Sequence, residues 1–226
     1  MHSCVIFDMD GVLIDSQPIH FNTDMEVIKA AGANPEFSDV EQLAGVALGK
    51  RLSVYKNKYG LELSIEALTG LHVGILMRTF RESNLGPIKG IPKLLHKLKE
   101  TNIKMAVASS SSLALIRLVL DMLNISEFFN ALITGEEVEN GKPAPDIFLK
   151  AAERLDSLPE NCAVVEDSTN GVLAAKHAGM YCVAYENPTS GEQDLSNADM
   201  IINSFNSINN DLYWLEKQGA WNCTKK

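Results

Sequence analysis

Short, uninterrupted apolar runs alternate along the chain with longer amphipathic stretches. Segments 4–7, 103–108, 131–134, 162–165, 181–184 and 200–202 are dominated by Val, Ile and Ala and show no polar alternation. Runs of this kind predict strands buried on both faces. Between them, segments 91–100, 113–123, 146–155 and 171–178 carry apolar residues at helical spacing. Regular strand–helix alternation predicts right-handed crossovers and a parallel sheet with helices on both sides. The expected fold class is therefore α/β, a doubly wound core.

One stretch breaks the rhythm. Between Gly11 and residue 103 the chain shows helical patterns at 19–31, 40–44, 50–58 and 64–82, and no strand before the Gly90-Ile91-Pro92 turn. This predicts two units: a core of residues 1–15 and 87–226, and a small α-helical insertion, residues 16–86, after the first strand. The insertion is too long for an ordinary crossover. It leaves the sheet at the carboxyl end of a strand, where α/β proteins bind ligands, and is suited to act as a lid.

Composition narrows the class. At 226 residues and 46% apolar content the chain can bury a core and carry a smaller unit, and no segment is apolar for long enough to span a bilayer. Met1-His2-Ser3 runs straight into the first strand, so no signal peptide is expected. Three of the four cysteines, Cys4, Cys162 and Cys182, fall in predicted strands without metal-ligand spacing. They read as reduced hydrophobes of a cytoplasmic protein, which makes the Asn222-Cys223-Thr224 sequon incidental. A net charge of −9 argues against a nucleic-acid partner. A monomer is the default expectation.

The strand ends carry the chemistry. The first run closes in Asp8-Met9-Asp10-Gly11. Residues i and i+2 of a strand share a face, so two like charges sit together where an apolar strand has no structural use for them. A bound cation, or a reaction needing one nucleophile and one proton carrier, gives the pair a purpose. The second strand ends in Ser109-Ser110-Ser111-Ser112, hydroxyls and amides suited either to an anion or to capping a helix. After the third comes Gly141-Lys142-Pro143, a cation ahead of a helix start. The fourth ends in Glu166-Asp167-Ser168. Four carboxylates on one rim need a divalent cation or several protons, and an oxygen-only set favours Mg2+ over zinc.

In this order the motifs resemble those of the haloacid dehalogenase superfamily, over essentially the whole chain. Asp8–Val12, Ser109, Lys142 and Glu166-Asp167 match its four motifs. Gly141–Asp146 and Glu166–Ser168 are similar to β-phosphoglucomutases and sugar-phosphate phosphatases, whose helical cap follows the first motif. The resemblance implies that Asp8 attacks phosphorus and Asp10 moves protons. It also implies that Ser109 and Lys142 hold the phosphoryl oxygens. Mg2+ would be bound by Asp8, Asp10 (through its backbone carbonyl) and Asp167, with Glu166 in support. Dehalogenases lack an acid at the position of Asp10, so a small phosphate ester is the implied substrate. His20, Ser110, Ser111 and the cap residues Gly45, Val46, Lys50 and Arg51 are candidate substrate contacts, with 72–78 behind them. Mutases of this type carry an arginine where this chain has Leu48, so hydrolysis is expected, with phosphosugar isomerisation as the alternative and a non-catalytic binding protein on the same fold as a remote one.

Overall fold

A computed structural model of the chain describes residues 2–43, 46–209 and 212–215. Among these, six strands form one parallel sheet in the order β3-β2-β1-β4-β5-β6. They are β1 (Cys4–Phe7), β2 (Lys104–Ser109), β3 (Ala131–Thr134), β4 (Cys162–Glu166), β5 (Tyr181–Tyr185) and β6 (Met200–Ile202). The order grows outward from β1 in one direction and then restarts at β4 in the other. The switch point, where α/β sheets open a crevice, therefore lies between β1 and β4.

Period-two alternation explains why these runs show no polar positions. Val5 and Phe7, Met105 and Val107, and Ala163 and Val165 enter one apolar cluster, while Cys4 and Ile6, Ala106 and Ala108, and Cys162 and Val164 enter the other. Helices α5 (Ile91–Glu100) and α6 (Leu113–Met122) cover the first face; α7 (Asp146–Arg154) and α8 (Thr169–His177) cover the second. Cys4, Cys162 and Cys182 are buried and free, as expected of strand hydrophobes. No helix among the described residues is long and apolar enough to cross a membrane.

The register sets the rim. Phe7 pairs with both Val107 and Val165, so Asp8 follows at the level of Ala108 and Glu166. Three strand ends differ from the sequence reading, β5 running on to Tyr185, which pairs with Ile202. β2 continues to Ser109, which pairs with Thr134, and β4 continues to Glu166, which pairs with Ala184. Polar residues end the apolar runs before the backbone ladder stops.

Residues after β1 form α1 (Gln17–Ala30), α2 (Phe37–Glu41), α3 (Leu48–Tyr59) and α4 (Ile65–Glu82). These helices share an apolar cluster of their own that includes Val27, Ile28, Val40, Leu52, Leu68 and Ile75. The segments leading into and out of the unit run side by side: Ile14 bridges Pro87, and Ile88 N–H donates to Leu13 O at 3.0 Å. Buried Asp24 of α1 is the polar centre of the unit. It accepts from Arg51 Nε at 2.8 Å and Tyr55 Oη at 2.7 Å, and His72 Nε2 of α4 lies 3.1 Å away.

Burial alone would raise the pKa of Asp24, but His72, Arg51 and Tyr55 outweigh it and hold it at about 2. A carboxyl depressed on folding contributes stability above its unfolded pKa and loses it as pH falls through the folded value. Asp24→Asn is expected to destabilise the protein by about 2 kcal/mol at neutral pH. The Tm gap to wild type should close between about pH 5 and pH 2; thermal unfolding across that range measures it.

Candidate active site

Asp8 leaves β1 still held in the ladder, its N–H donating to Val165 O at 3.0 Å. The chain then turns sharply, with Leu13 N–H donating to Met9 O and Gly11 N–H to Ile14 O. Gly11 is required twice over. Its φ is +81°, and a Cβ there would meet Asp167 Oδ2 at 1.9 Å.

Lys142 reaches this rim from the loop before α7. Its ammonium donates to Asp8 Oδ1 at 2.5 Å and Glu166 Oε1 at 2.6 Å, and stands 4.9 Å from the centre of the Phe148 ring. Burial would lower the Lys142 pKa, yet the attraction of Asp8 and Glu166 carries it above the ordinary lysine range. Glu166 is saturated: its other oxygen accepts from the backbone N–H groups of Asp167 and Ser168 at 2.7 and 2.8 Å, and from Ser168 Oγ. Gly171 makes room for that carboxylate, since a Cβ there would lie 1.8 Å from Glu166 Oε1.

The two acids of the first motif live in different surroundings. Asp8 is buried, and burial, with repulsion from Glu166, Asp10 and Asp167, lifts its pKa well above normal despite Lys142. Asp10 is half-buried and accepts from Ser16 Oγ at 2.6 Å and Ser111 Oγ at 3.1 Å, with His20 Nε2 3.1 Å from Oδ1. Desolvation pushes its pKa up, but those contacts prevail and hold it below the carboxylate norm. Asp167 is buried too, and desolvation together with Glu166 raises it to about 7. Burial and the like charges gathered at this rim thus raise the proton affinity of Asp8 and Asp167.

Asp8, Asp10, Ser109, Lys142, Glu166 and Asp167 thus converge from four strand ends. Buried Ser109 accepts from Ser111 N–H at 3.1 Å, which leaves its hydroxyl proton available; Ser110 is exposed, and Ser112 caps α6 through Leu115 N–H. In the expected metal set Asp10 serves through its backbone carbonyl and Glu166 in support, and the carboxylates of both are engaged with other partners. Two side chains remain, Asp8 and Asp167. Asp8 Oδ2 and Asp167 Oδ1 accept no hydrogen bond among the described residues.

The cap candidates fare unevenly. His20 touches Asp10 directly. Arg51 is not free to meet substrate: Asp24 holds it, and its Nη1 donates to Val46 O at 2.7 Å. The stretch 72–78 is likewise committed, His72 to Asp24 and Arg78 to Glu26. Lys50 is exposed on α3, Val46 is half-buried, and Gly45 lies outside the described residues. Sequence reasoning missed Ser16, which looks like an ordinary helix-capping serine, and the segment Asn187–Ser190, which reads as a plain turn.

Residues 5–185 match the model of the haloacid dehalogenase-like hydrolases. The chain belongs to that family. A phosphorylated carbohydrates phosphatase of Thermotoga maritima is 34% identical over 177 residues, 78% of this chain and 81% of that protein. A β-phosphoglucomutase of Bacillus subtilis is 32% identical over 92% of each chain. The crystal structure of CbbY from Rhodobacter sphaeroides in complex with phosphate superposes with a TM-score of 0.84 at 25% identity, over 92% of this chain and 96% of that one. The four motifs of this haloacid dehalogenase-like chain therefore stand in a fold that it shares with the CbbY structure.

The glycine at position 171 offers a sharp check. Gly→Ala in a helix ordinarily gains about 0.5–1 kcal/mol. Here the methyl group displaces the Glu166 carboxylate, so Gly171→Ala is expected to lower Tm rather than raise it, in a melt at neutral pH.

Proposed function

We propose that the protein is a Mg2+-dependent phosphatase of the cytoplasm that hydrolyses a small phosphorylated metabolite, a sugar or polyol phosphate, through an aspartyl-phosphate on Asp8. The observation that carries this reading is the unequal placing of two acids two residues apart. Asp8 is buried against an ammonium; Asp10 is gripped by two hydroxyls and an imidazole beside the helical unit.

The chemistry follows from those placements. An oxygen of Asp8 attacks phosphorus as the bond to the leaving oxygen breaks, and Asp10 delivers a proton to that oxygen. Water then attacks the aspartyl-phosphate, Asp10 takes its proton, and phosphate departs with Asp8 restored. An arriving phosphate dianion raises the proton affinity of Asp10 by repulsion, and this lets one group serve as both acid and base. Ser109 donates its free hydroxyl proton to a phosphoryl oxygen, and Lys142 offsets the charge that grows there.

The residues at this rim fit a Mg2+ ion. Asp8 and Asp167 offer unengaged oxygens, Asp10 would add its backbone carbonyl, and burial raises the pKa of both carboxyls. Mg2+ is held by one or two carboxylates plus substrate oxygens, and when bound it neutralises phosphate charge that would repel an anionic nucleophile. The helical unit, residues 16–86, acts as a cap. Its His20 links substrate closure to Asp10, and the adjoining segments at Ile14 and Pro87 form the hinge.

His20 and the β-phosphoglucomutase of Bacillus subtilis favour a second reading, phosphosugar isomerisation. A mutase needs a cation for its second phosphate. Leu48 packs on the apolar cluster of the helical unit and Arg51 is bound to Asp24, which supports hydrolysis.

The test is phosphate release from para-nitrophenyl phosphate and a panel of sugar phosphates with Mg2+. Asp8→Asn is expected to abolish turnover and Asp10→Asn to lower kcat by about 10²–10⁴. Full activity in Asp8→Asn would remove the nucleophile assignment. Glucose 6-phosphate formed from β-glucose 1-phosphate and a bisphosphate primer would replace hydrolysis with isomerisation.

A further inference from the structure

The loop joining β5 to β6 makes hydrogen bonds that a simple connection does not require. Buried Asn187 donates from Nδ2 to Gly11 O at 3.1 Å, Thr189 Oγ1 to Asp15 Oδ1 at 2.5 Å, and Ser190 Oγ to Asp167 Oδ2. Its far end is pinned as well. Gln193 Oε1 accepts from both the N–H and the hydroxyl of Thr169, while Gln193 Nε2 donates to Ser190 O at 2.9 Å. The loop is thus a strap across the turn after β1 and the turn after β4, the two places that carry the candidate cation ligands.

We propose that this strap belongs to the cation site and that Ser190 is a positioning residue for Asp167. The inference rests on the reading of Asp167 as a Mg2+ ligand. Asp167 Oδ2 is wedged between the bare Cα of Gly11 and the Ser190 hydroxyl, so one oxygen is anchored and Oδ1 is left for a ligand. Beside it opens a cavity of about 590 Å³, bordered by Asp167, Glu186, Asn187 and Glu192. Without the Ser190 bond the carboxylate can turn within that solvent-filled space, and holding it in place for the cation then costs rotamer entropy. With two carboxylates in the set, loosening one weakens binding strongly. Hydrogen-bond partners of ligating carboxylates typically change metal affinity by about 10–100-fold.

The experiment is calorimetric titration of the metal-free, full-length protein with Mg2+, alongside Tm with and without Mg2+. Ser190→Ala is expected to weaken Mg2+ binding by about tenfold or more and to shrink the Mg2+-induced rise in Tm, with the metal-free Tm near wild type. Ser190→Thr, which keeps the hydroxyl, should restore affinity. Ser190→Cys, of similar size but a weak donor, should show the loss and stands in if the alanine variant does not fold. Wild-type affinity in Ser190→Ala, with Asp167→Asn binding no Mg2+, overturns the role of the strap alone. Wild-type affinity in Asp167→Asn overturns the ligand reading beneath it.

Discussion

One ammonium sets the terms for the whole rim. Lys142 lies between Asp8 and Glu166, close to both, where burial raises the proton affinity of Asp8 and the ammonium opposes that rise. Attraction at such distances strengthens steeply once water is excluded. The cost of burying these charges is offset only while geometry and hydrogen bonding are complete. Glu166 illustrates the completeness: with Lys142, two backbone N–H groups and a hydroxyl, no acceptor site of consequence is left over. It acts as the anchor of Lys142, and through Lys142 it acts on Asp8.

The same charge arithmetic explains why Asp8 and Asp167 stand apart from Asp10. The first two have few donors for their burial, and their pKa values are raised. Asp10 has three donors and stays ionised on the same rim. Ser16 and His20 come from the start of the helical unit and Ser111 from the loop before α6. Asp10 is accordingly the point at which the helical unit and the sheet touch the same carboxylate. Lys142, in contrast, ties Asp8 to Glu166 at the end of β4, away from the helical unit.

Much of this was legible along the chain, for definite reasons. Buried parallel strands have no polar positions, and the six short runs report that directly. The rim motifs stood out because charges and hydroxyls are costly at the ends of such strands, and all but Lys142, in the loop after β3, appear at or next to a strand end. Other residues were misleading. Arg51 reads as a free cation near the candidate substrate loop, but its partner Asp24 lies 27 residues away. Glu166 and Asp167 look alike in sequence, and nothing along the chain says that Glu166 will hold Lys142. Ser190 carries no local signal, since nothing in a turn of Asn, Pro, Thr and Ser says that a hydroxyl will meet a carboxylate 23 residues before it.

The amino-acid sequence by itself determined the α/β core, the run of helices after the first strand and the polar residues that gather at the rim. Period, burial and the cost of misplaced charge are local properties, or sums of them. Only the tertiary structure decided which carboxylates are free and which are saturated, and which cations face the crevice and which brace a helix. Those outcomes depend on hydrogen-bond partners brought together by the sheet order and the strand register. Each donor can serve only a few acceptors, so the assignment of every polar group at the rim waits on where all the others have been placed.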